Sequence, residues 1–286
     1  MRTPLRAVPF VLAALLAAAP AAGKPATSSK AFKFKGSKLE VGAVYRYEQS
    51  DLEGNRPASV LVHVAAKNRV EVVRAEPGSG RADSFVIDVD WDRGGSPARY
   101  ERWISRKDGG QSRAYTVTFG DGDGTAVFAP EDLKGFRSAG VSGPVTVAFD
   151  QYPVHSLDAL LATLNVAMRF LADPAKEFEI GLLADAPDPA TGAPLVYKGK
   201  AKVTFLEDVD RDGKECRKYR IAGPATGEQE GLLWVHKEQG HLVDLELPVP
   251  MLPDQKDAHL SLQGTETVDE TGWSRLKAEE IAKAMK

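Results

Sequence analysis

The stretch FLEDVDRDGKECRKYRI sets three aspartates at alternate positions ahead of a glycine: Asp208, Asp210, Asp212 and then Gly213. That spacing opens the calcium loop of an EF-hand, where alternating carboxylates converge on the ion and the glycine allows a sharp turn. The remainder of the loop is missing. Its twelfth position, which needs a bidentate glutamate, is Tyr219, and the flanks KAKVTF and CRKYRI alternate as strands do. Asp-Gly is also a favoured hairpin turn. The expectation is therefore a turn, with Ca2+ on Asp208, Asp210 and Asp212 as the weaker alternative and no other cofactor implied.

The remaining chemical residues are sparse. GDGDG at 120–124 offers only Asp121 and Asp123, too few acids for a dedicated calcium site. His236 and His241 flank a short turn and would face each other across it on one surface, but the third ligand that zinc requires is absent, since Trp234 and Val243 come next on that face. Alternation puts the single cysteine, Cys216, beside Lys218 and Arg220, an accessible position where cations would lower its pKa. No nucleophile signature surrounds it, so an ordinary strand cysteine is expected. His155, Ser156 and Asp158 have the letters of a triad, yet residues adjacent at a helix start diverge and do not build that geometry. Neither a Gly-x-Ser-x-Gly elbow nor a glycine-rich phosphate loop occurs.

The elements that would carry these residues are mostly strands. Period-two runs recur at Val60–Val64, Phe85–Trp91, Tyr115–Phe119 and Val145–Phe149, and resume at Ala201–Phe205, Tyr219–Ile221, Leu232–Trp234, Val243–Leu247 and Leu260–Leu262, with Gly, Pro and Asp turns between. One helix is expected over 156–172, capped by Ser156 and ended before Pro174. Its apolar stripe is broad, and only Asp158, Asn165, Arg169 and Ala172 form a face that need not be buried. The fold class that follows is mainly β: an antiparallel curved sheet or half-barrel wrapped on one central helix, with a short C-terminal helix over 274–286.

The N-terminus reads as a secretory signal peptide over 1–23, with Arg2 and Arg6 before an apolar run and small residues at its exit. Its removal takes the formal charge from −3 to −5, which gives no reason to expect nucleic acid or an anionic membrane as partner. No later run is long enough to span a bilayer. A polar, basic leader over 24–38 is expected to be mobile, with order starting near Leu39. The β-rich domain is expected over 39–272, as one unit or as two lobes, 39–150 and 177–272, bridged by the helix. One cysteine leaves the fold to stand on packing.

The last third, YKGKAKVTFLEDVDRDGKECRKYRI, then LLWVHKEQGHLVDLELP, then HLSLQG, resembles the later strands of DUF3108-type periplasmic domains. The resemblance implies an envelope protein with a curved sheet and a helix, similar in outline to lipoprotein carriers, and supplies no catalytic residues. The reading is an exported, non-enzymatic periplasmic or extracellular protein that binds an apolar or lipidic molecule or another envelope protein. Leu164, Val166, Met168 and Phe170 would line a cleft between helix and sheet, unless the helix is filled core. A hydrolase with a dispersed site and a calcium-stabilised structural module are the alternatives.

Overall fold

The computed structural model describes residues 27–28, 30–120, 124–129, 144–188, 192–251 and 255–286. The expected signal peptide, and Asp121 and Asp123, lie outside them. The strands in chain order are β1 (Thr27–Ser28), β2 (Ala43–Ser50), β3 (Ala58–Ala66), β4 (Arg69–Ala75), β5 (Arg81–Asp90), β6 (Ser96–Arg106), β7 (Gln111–Phe119), β8 (Thr125–Phe128) and β9 (Val145–Ala148). After a crossing segment with β10 (Gln151–Tyr152), β11 (Val154–Ser156) and helix α1 (Ala162–Ala167) come β12 (Phe178–Asp188) and β13 (Ala193–Arg211). The chain then continues through β14 (Lys214–Ala222), β15 (Gly231–His236), β16 (Leu242–Leu247), β17 (Ala258–Thr267) and helix α2 (Glu270–Met285).

Fifteen of these strands form one sheet in the order β11-β12-β13-β14-β15-β16-β17-β2-β3-β4-β5-β6-β7-β8-β9. Every neighbouring pair is antiparallel except β11 with β12. The halves join where β17 lies against β2, with Leu262 opposite Tyr47. The sheet curls far enough that Asp150, just beyond β9, accepts from the Tyr197 hydroxyl of β13 at 2.6 Å and pairs with Lys200 at 3.6 Å. Among the described residues no ladder joins β9 to β13, and the curve is unclosed.

Alternation decides what each face packs against. On β2, Tyr45 and Tyr47 point into the curve while Val44 points out and packs with Leu61, Val73, Trp273 and Leu276. Those outer residues are the seat of α2. This helix begins at Glu270, earlier than the expected Ser274, because Asp269 is its N-cap and accepts from the Gly272 amide at 2.7 Å. No helix of the described residues is long and apolar enough to cross a membrane.

The interior is occupied by the chain itself. From Gln151 to Phe170 every residue except Arg169 is buried. The helix expected over 156–172 is broken: β11 holds Val154–Ser156, Leu160 and Leu161 turn with φ of 57° and 51°, α1 covers only Ala162–Ala167, and a 3-10 turn follows at Met168–Phe170. Pairing of β11 with Gly181–Leu183 takes the first residues out of the helix. Tertiary pairing thus overrides the helical period of the sequence.

The leader is likewise more fixed than its composition suggests. Thr27–Ser28 pairs with Gln151–Tyr152, and Phe32 bridges to Leu171. Phe32 meets Phe178 edge-on at 5.2 Å, and Phe34 stacks on Trp91 at 4.5 Å. The two aromatic side chains anchor a stretch that is otherwise polar, so order precedes Leu39.

Candidate functional site

The buried segment 151–170 and the end of the curve through which it emerges form the candidate site. Leu164 and Val166 are fully buried and Met168 and Phe170 nearly so, all within the main core. Full burial of these side chains is a large favourable term, of about 1.5–3 kcal/mol each. Asp158 and Asn165, expected on a face free of burial, are buried too. Buried polar groups must find partners, and these two are the means by which the segment is tied to the wall.

Asn165 donates to the Tyr47 hydroxyl at 3.0 Å and accepts from the Leu242 amide at 2.8 Å, while the Tyr47 hydroxyl donates to the Leu242 carbonyl at 2.8 Å. The three residues close a ring of hydrogen bonds joining α1, β2 and β16. Asp158 accepts from the Tyr115 hydroxyl at 2.8 Å and from the Ser156 hydroxyl. Burial raises the Asp158 pKa, although the Arg102 charge opposes the shift.

Arg102 lies between carboxylates. It reaches Asp185 at 2.8 Å and Asp83 at 3.2 Å, and its guanidinium lies over the Phe85 and Tyr115 rings. Burial alone would lower its pKa, but Tyr115, Asp83, Asp158 and Asp185 outweigh this and raise it. Arg102 is therefore a fixed cation in the wall. The triad letters do not assemble: Ser156 turns to Asp158 while His155 Nδ1 pairs with Thr163 Oγ1 at 2.8 Å. Burial pushes His155 down to about 3, so its imidazole is neutral.

At the end of the curve the segment presents Arg169 to two adjoining cavities. One, of about 450 Å3, is lined by Lys38, Glu40, Tyr45, Glu238, His241 and Glu266 among others. The second, of about 250 Å3, is lined by Lys33, Lys35, Lys38, Arg169, Phe170, Leu171 and Ala172. Arg169 donates to the Tyr45 hydroxyl and, at 3.3 Å, to the Lys38 carbonyl. Its backbone is gripped by Gly240, whose φ is 69° and at which a Cβ would lie 2.4 Å from Arg169 Cα.

The other candidate residues sit elsewhere. Arg211 pairs with Lys214 across a two-residue turn of Asp212 and Gly213, with φ of 53° and 75°, the sign a tight hairpin turn needs at both positions. Asp210 accepts the Gly213 amide at 2.9 Å and Asp208 pairs with Lys237 at 2.6 Å. The three aspartates do not form such a cluster; among the described residues the carboxylates and imidazole that come together are those of Asp244, Glu246 and His259. Arg211 already supplies a cation there, 2.8 Å from Asp244 and 3.2 Å from Glu246, stacked 4.3 Å over Trp234.

Cys216 is buried, not accessible, and burial raises its pKa to about 11. The cation that lowers it is Lys214, not the expected Lys218 and Arg220, and lost solvation outweighs it. His236 and His241 do face each other, with ring centres 5.2 Å apart, but His241 is buried against Tyr45 rather than lying on the surface. Sequence reasoning missed Arg102 and Asp185, which lie 83 residues apart and carry no local signal. It recognised the leader as basic without being able to place Arg169 beside it.

No family model matches the chain, and no curated protein matches it. Among solved structures it is similar to a domain described as an outer-membrane lipoprotein-sorting protein from Vibrio parahaemolyticus, at 8% identity and a TM-score of 0.21, covering 84% of this chain and 93% of that one. It is also similar to a protein described as a lipoprotein from Parabacteroides distasonis, at 12% identity and a TM-score of 0.25, covering 79% and 96%. A third similar structure is a LolA superfamily protein from Nitrosomonas europaea, at 11% identity and a TM-score of 0.20, covering 79% and 85%.

Proposed function

We propose that this chain is an exported, non-enzymatic protein of the bacterial envelope, of DUF3108 type, that takes an apolar or lipidic molecule into its curved sheet by exchanging it for the segment 151–170. The observation that carries the reading is the segment itself: a mostly apolar stretch that fills the inside of a curved sheet. Leu160 and Leu161 hold left-handed backbone at 0% exposure, which costs about 1–2 kcal/mol per residue. His155 Nε2 and Gln151 Oε1 are buried without hydrogen-bond partners. Strain and unpaired polar atoms lower the free energy needed to displace the segment. Leu164, Val166, Met168 and Phe170 would then be the side chains that ligand replaces or touches.

A ligand that competes with the segment binds more tightly when the segment is held less well. Asn165→Ala removes its link to Tyr47 and Leu242, at about 2 kcal/mol, so the apparent affinity for a fluorescent fatty acid should rise about 30-fold. Leu276→Ala, on the outer helix, should destabilise the protein without that rise. Absence of probe binding to both wild type and Asn165→Ala protein would overturn the reading.

A further inference from the structure

We propose that the cavity bounded by Lys33, Lys35, Lys38 and Arg169 is a binding site for a phosphate group. Its lining contains four cationic side chains and no carboxylate. Lys33, Lys35 and Lys38 have no acid within ion-pairing distance among the described residues, although most other basic side chains of the sheet are paired. Four cations held together repel one another, and an arrangement of this kind is relieved by an anion.

The cations are placed by the fold. Phe32 and Phe34 make aromatic contacts with Phe178 and Trp91, while Lys33 and Lys35 between and beyond them are exposed. The Lys33 amide donates to the Phe170 carbonyl at 2.7 Å and the Ala172 amide to the Ala31 carbonyl at 2.7 Å, which holds the lysine-bearing segment alongside Arg169. Arg169 is fixed from beneath by Tyr45 and Gly240, and its Nε is buried with no hydrogen-bond partner. Glu40, Glu238 and Glu266 line the adjoining cavity, which shares Lys38 and Arg169 with this one; Glu40 accepts from Thr267 and Glu266 pairs with Arg46 at 2.5 Å.

A volume of about 250 Å3 is large enough for a phosphate or a small phosphodiester, and the cationic lining suits an anion. The site borders Phe170 and Leu171, at the exit of the buried segment. A phospholipid whose chains replaced that segment would bring its phosphate to these lysines. In that form the inference rests on the proposed apolar-ligand reading; as a site for free phosphate it stands alone.

Calorimetric titration separates the cases, using inorganic phosphate, a short-chain phosphatidic acid and the diacylglycerol with the same chains. Phosphatidic acid should bind about tenfold more tightly than the diacylglycerol, and the combined Lys33→Ala and Lys35→Ala variant should abolish the difference. The exposed Lys107→Ala control should retain it. Lysine-dependent binding of inorganic phosphate identifies free phosphate as a ligand, and lysine-dependent preference confined to the lipid identifies a headgroup. Inorganic phosphate binding with neither lipid bound would uphold the anion site and remove the apolar-ligand reading. Equal binding of both lipids without lysine-dependent binding of inorganic phosphate, or a phosphate preference that survives loss of both lysines, would overturn the anion site and leave that reading in place. No binding of any of the three overturns both.

Discussion

Arg102 Nη1 lies 2.8 Å from Asp185 Oδ2, a contact that joins the twelfth strand of the sheet to the second across the interior. Asp83 completes the pair at 3.2 Å. Removing the cation strips Asp185 of this partner, leaves Asp83 with Arg81 alone and leaves the charge of buried Asp158 uncompensated, so Arg102→Ala should lower the unfolding free energy by about 3 kcal/mol. Replacing Arg102 by Met together with Asp83→Leu and Asp185→Leu should recover most of that loss, because the desolvation of all three charges goes with them. Urea denaturation of the two variants measures the difference.

Acid should destabilise the protein through His155 and His241. Burial lowers both to about 3, against about 6.5 in an unfolded chain. Between those values the unfolded state binds more protons, so their contribution is complete above about 6.5 and is lost as pH falls, by about 2 kcal/mol each at pH 5. His259 works in the opposite direction. Its hydrogen bond to Asp244 raises its pKa, so its contribution is full below about 6.5 and is lost as pH rises through the raised value. Stability followed by thermal unfolding should peak near neutrality. His241→Phe should shallow the acid limb, and His259→Asn the alkaline one.

Two glycines with similar backbone angles should respond differently to alanine. Gly213 has φ of 75° with open space around its missing Cβ, whereas Gly240 has φ of 69° and meets Arg169 Cα at 2.4 Å. Gly213→Ala should cost about 1–2 kcal/mol, from left-handed backbone alone. Gly240→Ala should cost clearly more, because the turn must also lift off Arg169. Melting temperatures of the pair test this, and only Gly240→Ala should alter ligand binding at the end of the curve.

Calcium should have little effect on the Asp208–Gly213 turn. Asp208 is paired with Lys237 and Asp210 with the Gly213 amide, and the loop lacks a bidentate acid. Titration with Ca2+ up to millimolar concentrations should leave the melting temperature unchanged. A micromolar affinity lost in Asp210→Ala would establish the calcium-stabilised module instead.

The strands were legible where one face is buried, as at Ala258, Leu260 and Leu262, because burial on one face writes a period of two. The segment 156–172 was not, because Leu157, Leu160, Leu161 and Leu164 are buried on all sides and a fully enclosed stretch carries no period to separate helix from turn. Cys216 was misplaced for a related reason: alternation names the face a residue points from, but burial depends on what is folded over that face. The basic cavity needs Lys33 and Arg169 together, and residues so far apart in sequence leave no pattern in any local window.

The pairing of β17 with β2 has a kinetic consequence. Ala43–Thr267 and Ser50–His259 are partners separated by more than two hundred positions, so the middle of the sheet cannot form until nearly the whole chain is available. High contact order of this kind makes assembly slow and leaves β2 with one edge unpaired during synthesis. The strands from β2 to β9 pair with sequence neighbours and can form first, so such a chain emerges from the ribosome half-built, with an open edge at β2 that a chaperone can capture.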